Sequence, residues 1–374
     1  LNQQIVQKYH GLDHLRALAI FSVFLFHYFI LSGGKPEWLP DFAKFGWTGV
    51  DLFFVLSGFL ISSQLFEQIN QEQKISFSTF FLKRFFRIVP AFLFTVGLYF
   101  CFPFFREKES LPPLWKFLTF TQNFGLNLRH YGTFSHAWSL CVEEHFYLIL
   151  PLLLIVLQRS DRMKKSFWLI IVFFLLGFAA RTYSFNCFYL PDIDSENAGV
   201  QWYQYIYYPT YNRLDGLLVG VSIAAMVKFR PIFWSKISAY GHVFIIVGLG
   251  ILTGAYYLCY EQQTFNASVF GFPLIAVGYG SMLIGAISPG SFLYKWNSTL
   301  SSWIASLSYA IYLTHKGVIH ITHQFLSDYN LNDNLLLLIC FATCLTAAIL
   351  LHFSIEKPFM QFRKKVLQGL KSEK

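Results

Sequence analysis

The chain has 374 residues, of which 55% are hydrophobic, 20% aromatic and only 13% charged. A soluble domain of this length could not hide so much apolar surface, so the composition points to lipid as the solvent for most of the chain. The formal charge of +9 does not indicate nucleic acid, because the basic residues sit in short stretches between apolar runs.

Apolar runs of spanning length fall near 12–31, 47–66, 86–104, 137–157, 167–185, 205–227, 239–259, 267–287, 303–326 and 334–354. They predict an all-α integral membrane protein, a bundle of about ten transmembrane helices. The first run has no small-residue cleavage site after it and carries Arg16 and His27, so it reads as a helix and not as a signal peptide. If the N-terminus is cytoplasmic, the inner segments hold Lys8, Arg16, Lys74, Lys83, Arg84, Arg87, Arg159, Arg162, Lys164, Lys165, Lys228, Arg230, Lys236, Lys295 and a basic tail. The outer ones hold Lys35, Lys44, Arg106, Lys108, Lys116 and Arg129. This excess predicts that both termini are cytoplasmic. Residues 1–355 form the membrane domain, and 356–374 a short basic cytoplasmic tail. Cys187 and Cys259 both fall on the outer side in this topology and are a candidate disulfide.

Ionisable groups inside a bilayer are costly, which makes each a functional candidate. In "LDHLRALAIFSVFLFHYFIL", Arg16 and His27 share a helix face about 16 Å apart, with the arginine at the inner edge and the histidine beyond the midplane. Asp51 in "GWTGVDLFFVLSGFLIS" falls at similar depth on the next helix, where a carboxylate could orient the His27 ring. The plainer readings are a packing histidine and an interfacial cap. In "FSTFFLKRFFRIVP", Arg84 and Arg87 are one turn apart and read either as a lipid anchor or as a clamp for one anionic group.

"HAWSLCVEEHFYLILP" places His136, Ser139, Glu143 and Tyr147 on one stripe and Glu144 with apolar neighbours, which makes Glu143 the preferred functional carboxylate. Cys141 lies in an apolar row with no base to ionise it. Arg213 and Asp215 in "YNRLDGLLVG" are intramembrane charges suited to an ion pair or a substrate contact. Tyr312 and His315 in "LSYAIYLTHK" are one turn apart at a depth near that of His27. His320 and His323 do not make a metal site with His315, since no carboxylate or cysteine lies near them on that helix, and no metal is expected.

Taken together, these segments resemble the acyltransferase-3 family of bacterial integral membrane O-acyltransferases. Arg16 and His27 match its Arg-x(10)-His motif, and Arg84 and Arg87 followed by Pro90 resemble its Arg-x-x-Arg motif. "GVDLFFVLSGFLIS", "WSLCVEEHFYLILP", "RLDGLLVG", "LSYAIYLTH" and "IEKP" resemble its other blocks in order, with Cys141 where Ser or Ala is commoner. Many relatives append a periplasmic hydrolase-like domain, whereas this sequence ends soon after its last apolar run.

The resemblance implies acyl transfer, most simply acetyl, from cytoplasmic acetyl-CoA to a hydroxyl of a surface polysaccharide or its lipid-linked precursor, an O-antigen or exopolysaccharide. It would take place at the bacterial cytoplasmic (inner) membrane. Arg16, Arg84 and Arg87 would bind CoA phosphates. His27 would act as general base oriented by Asp51, or carry the acyl group as an acyl-imidazole, with Glu143 as a further catalytic group. Glu144, Arg213, Tyr312 and His315 would stand near the acceptor. Membrane lipids and the glycan are the expected partners, nucleic acid is not, and the oligomeric state is open. A macrolide-type small-molecule acceptor is the alternative within this class. A proton-coupled transporter is the alternative from another, although the matched repeats and broken helices common in transporters are missing.

Overall fold

The computed structural model describes residues 9–39, 43–159 and 167–372. Lys8, Arg162, Lys164 and Lys165, invoked for orientation, lie outside the described residues. Every described element is helical. The longer helices are α1 (His10–Leu31), α2 (Gly49–Asn70), α3 (Phe77–Cys101), α4 (Trp138–Arg159), α5 (Phe167–Ser184), α6 (Asp215–Phe229), α7 (Pro231–Ser238), α8 (Gly241–Leu258), α9 (Phe272–Ile287), α10 (Thr299–Leu326), α11 (Asp333–Leu351) and α12 (Lys357–Ser372).

Eight helices among the described residues are long and apolar enough to cross a bilayer, and a ninth results if α6 and α7, bent by 109° at Arg230, count as one span. The sixth expected span, 205–227, is broken. Pro209 interrupts it, and the chain makes a π-turn (Tyr203–Tyr207) and a 3₁₀-turn (Thr210–Asn212) before α6 begins. The Asn212 amide nitrogen donates to the freed carbonyls of Tyr205 (2.9 Å) and Ile206 (3.2 Å), so the break does not orphan them. The ninth expected span is α10, whose 28 residues suffice to cross although polar side chains interrupt it.

"FSTFFLKRFFRIVP" is the first half of α3, capped by the Ser76 hydroxyl on the Thr79 amide. Residues 357–372 of the basic tail form α12, docked on α3 through Phe362 against Phe86 (5.5 Å between centroids) and an Arg363 hydrogen bond to the Lys83 carbonyl. Cys187 and Cys259 are both free thiols, because Cys259 is buried against Gly271 while Cys187 is exposed.

The bundle is built around α2 and α9, the most buried of the spanning helices, while α5 and α11 lie at the periphery. Apolar side chains such as Ile246 (69% exposed) and Leu350 (65%) face outward, as lipid-facing residues do. Lipid supplies no hydrophobic drive between helices, so close backbone approach must hold them. The α2–α6 crossing shows this: a Cβ on Gly58 would run into the backbone of Leu217, and one on Gly220 into Val55 and Phe59. Gly220→Val should therefore force the pair apart at about 1–3 kcal/mol. A lower unfolding midpoint in detergent than that of a Gly254→Val control, where space is open, would bear this out, and equal midpoints would refute it.

Candidate active site

The Arg16 end of the bundle opens into a narrow cavity of about 110 Å³. Arg16 on α1 and both Arg84 and Arg87 on α3 line it, together with Glu143 and Tyr147 on α4 and Tyr312 on α10. The spacing of the two α3 arginines, one helical turn, puts both on the cavity side. Tyr147 donates to Glu143 Oε2 (2.6 Å) and Ser57 to Oε1 (3.1 Å), which fixes the carboxylate. The Arg84 guanidinium lies 5.5 Å from the Tyr147 ring centre. Three guanidinium groups thus share a cavity with one carboxylate, a charge balance that attracts an anion.

Tyr312 forms the inner limit of this cavity. Its hydroxyl lies 2.6 Å from Ser139 Oγ and donates to the His136 carbonyl at 2.5 Å. Beyond it three histidines meet: the His315 ring is 4.8 Å from that of His27 and 4.9 Å from that of His136. The network assigns the tautomers. His315 Nδ1 contacts the carbonyls of Tyr312 (2.9 Å) and Ile311 (3.1 Å), so it must donate, and in the neutral ring Nε2 must accept. That acceptor is 3.0 Å from His27 Nδ1, which also faces the Val23 carbonyl at 3.0 Å. His27 Nδ1 therefore carries the proton, and His27 Nε2 keeps its lone pair. His315 and His136 are fully enclosed, and His27 is the partly accessible member. A ring held by a donor–acceptor chain with one free basic nitrogen can accept a proton from a hydroxyl or take an acyl group. Among the described residues no group of three or more His, Cys, Asp or Glu side chains is arranged to hold a metal ion.

Asp51 takes another partner than the one expected. Its Oδ1 accepts from Arg213 Nη2 at 2.8 Å, both side chains being buried. Close α2–α6 packing turns this first-turn carboxylate toward α6 and away from α1, so His315 and not Asp51 orients His27. Arg213 in turn is caged: Trp138, Tyr207 and Phe272 surround its guanidinium, with Phe272 nearest at 4.0 Å. Asp215 pairs with Arg181 at 2.6 Å. Glu144 does not line the cavity, and its Oε1 is buried without a hydrogen-bond partner. Cys141 is buried, its thiol turned to the Ala137 carbonyl.

Sequence reasoning missed Glu107, which pairs with Lys316 at 2.8 Å and whose side chain is 1% exposed. In "FREKES" it reads as one charge of a solvated loop, and no local pattern signals its burial. His136 was visible on the polar stripe, but its meeting with His27 and His315 was not.

An all-helical bundle with lipid-facing apolar sides, and with arginines, a carboxylate and histidines gathered inside it, is the construction of an integral membrane protein. The chain belongs to the acyltransferase-3 family, whose profile, described as an acyltransferase domain, matches residues 9–353. It is similar to peptidoglycan O-acetyltransferase OatA of Listeria monocytogenes, 29% identical over 83% of this chain and 49% of that protein. O-acetyltransferase OatA of Staphylococcus aureus is 25% identical over 95% of this chain and 57% of its own. The putative peptidoglycan O-acetyltransferase YrhL of Bacillus subtilis is 26% identical over 95% and 56%. The chain spans about half the length of these relatives. No solved structure matches it.

Two expected outcomes follow from the geometry. Asp51→Ala should destabilise the protein by about 3–5 kcal/mol, because it strands a buried guanidinium, and Asp51→Leu combined with Arg213→Met should cost less than the single change. Unfolding midpoints in detergent measure this, and a stable but inactive Asp51→Ala protein would restore Asp51 to the chemistry. At the neighbouring carboxylates, Glu143→Gln should depress transfer strongly and Glu144→Gln only weakly, at matched membrane expression. The reverse order would mean that the cavity wall has been assigned to the wrong face of α4.

Proposed function

We propose that the protein transfers an acyl group, acetyl in the simplest case, from acyl-CoA to a hydroxyl of a cell-wall or surface glycan. The observation that carries this reading is the shared cavity of Arg16, Arg84 and Arg87, ending at Tyr312 beside the His27–His315 pair. The arginines hold the CoA phosphates by forked charge-assisted hydrogen bonds. The pantetheine arm reaches inward, and the separation of Arg16 and His27, about 16 Å along α1, is comparable with its length. His27 Nε2 takes the proton of the acceptor hydroxyl as its oxygen attacks the thioester carbon. The C–S bond then breaks, and the CoA thiolate leaves with the proton returned from the imidazolium. His315 is a positioning residue that holds the His27 tautomer, and Glu143 sets the polarity of the donor cavity.

The Arg16 end then faces the cytoplasm, where acyl-CoA is made, with both termini on that side of a bacterial cytoplasmic membrane. The names of the relatives point to peptidoglycan as acceptor, in preference to the O-antigen expected at first. Membership of an acyltransferase family weighs against transport. His27→Ala should lower transfer by about 10²–10⁴-fold without loss of acyl-CoA binding, whereas Arg84→Gln with Arg87→Gln should weaken acyl-CoA binding itself. Calorimetry with acetyl-CoA and a transfer assay on the purified variants separate the two effects. Near-normal transfer by His27→Ala would sink the assigned base, and unchanged acyl-CoA affinity in the double variant would return the arginines to lipid anchoring.

A further inference from the structure

One stripe of α10 runs past the histidines to the far end of the bundle. Ser308, Tyr312, Lys316, His320 and Gln324 recur every four residues and wind slowly round the helix, about 24 Å from first to last. Ser308 and Tyr312 line the arginine cavity. His320 and Gln324 line a second, wider cavity of about 850 Å³, walled also by the segment from Pro103 to Ser110 and by residues around His130. Lys316 falls between the two. Its ammonium is 2.8 Å from Glu107 Oε1, and Glu107 itself lines the second cavity. Glu107 is therefore the wall between that cavity and the residue beside His315. Its Oε1 also accepts from the Phe134 amide at 3.0 Å, while Oε2 is buried and accepts no hydrogen bond.

The walls of this second cavity say what it would hold. Arg106 is tied to the Tyr99 and Phe100 carbonyls and Arg129 to Asn197, so both brace the loops. Lys108, His130, His320 and Gln324 supply further donors and acceptors, while Pro103 and Leu128 are the main apolar lining. An apolar ligand would leave those groups desolvated without partners, which is costly. A ligand rich in hydroxyls would satisfy them. The volume lies within the range of about 300–1,000 Å³ usual for ligand sites.

We propose that this second cavity is the acceptor site, that it binds an oligosaccharide, and that Glu107 with Lys316 forms the divider at which the acceptor hydroxyl reaches the histidine cluster. The proposal rests on the acyltransferase reading above and deepens it: donor and acceptor enter from opposite ends of the bundle, and the acceptor is a glycan and not a macrolide.

The test uses the detergent-purified chain, acetyl-CoA, and soluble glycan fragments released from cell wall by a muramidase. His320→Ala with Gln324→Ala should raise the acceptor KM about tenfold, the loss expected for two hydrogen bonds, while the acetyl-CoA affinity stays within twofold. In a Cys101→Ser, Cys187→Ser background, Gln324→Cys should react with a hydrophilic maleimide, and the fragments should slow that reaction. An unchanged acceptor KM, or labelling that the fragments do not slow, overturns the acceptor site. Should the double alanine variant fail to fold, the labelling experiment alone decides. If the parent protein does not bind acetyl-CoA, the function proposed above fails instead, whatever the labelling shows.

Discussion

An arginine buried in an apolar bundle must be met by something, and much of this structure follows from how each one is met. Arg213 is neutralised by Asp51 and enclosed by three aromatic rings, and Arg181 by Asp215. These four residues bind α2, α5 and α6 to one another in the half of the bundle remote from Arg16. Removing one partner of such a pair is far more damaging than replacing both, because the survivor cannot be hydrated. Arg16, Arg84 and Arg87 are met differently. They open on a cavity that contains one carboxylate, so their charge is left for a ligand to balance. The contrast between caged arginines and arginines at a cavity separates scaffold from site more clearly than burial does.

The histidines obey the same logic in neutral form. Backbone carbonyls of α10 can only accept, so they fix the His315 proton on Nδ1, and that choice passes along one hydrogen bond to His27. The result is a base whose tautomer is set by the α-helix that packs against it. The α10 stripe then joins three environments in one element: a cationic cavity, a histidine cluster and a polar cavity at the far end. This explains why α10 is the long helix that departs from an apolar composition. A span that lines two cavities and carries a histidine of the cluster between them cannot also be uniformly hydrophobic.

The sequence by itself determined the class and most of the helices. Apolar runs of spanning length leave a bilayer bundle as the one consistent reading, because backbone groups in lipid must be satisfied within helices. Helical periodicity put Arg16 with His27 on one face and Glu143 with Ser139 and Tyr147 on another; Arg16, Ser139, Glu143 and Tyr147 line the cavity, whereas His27 does not. The order of motifs identified the family. Tertiary structure decided the pairings. Depth along two helices placed Asp51 level with His27, but depth says nothing of azimuth, and the glycine-mediated α2–α6 contact turned Asp51 to Arg213. The sixth run kept its composition and lost its helix at Pro209, because Asn212 could take the freed carbonyls only once the chain had folded back on them. Glu107 gave no local signal, since a loop carboxylate becomes buried only through a lysine more than two hundred residues away in "THKG". Periodicity fixes which side chains share a face; which face meets which is set by close packing between helices, and that is a property of the whole bundle.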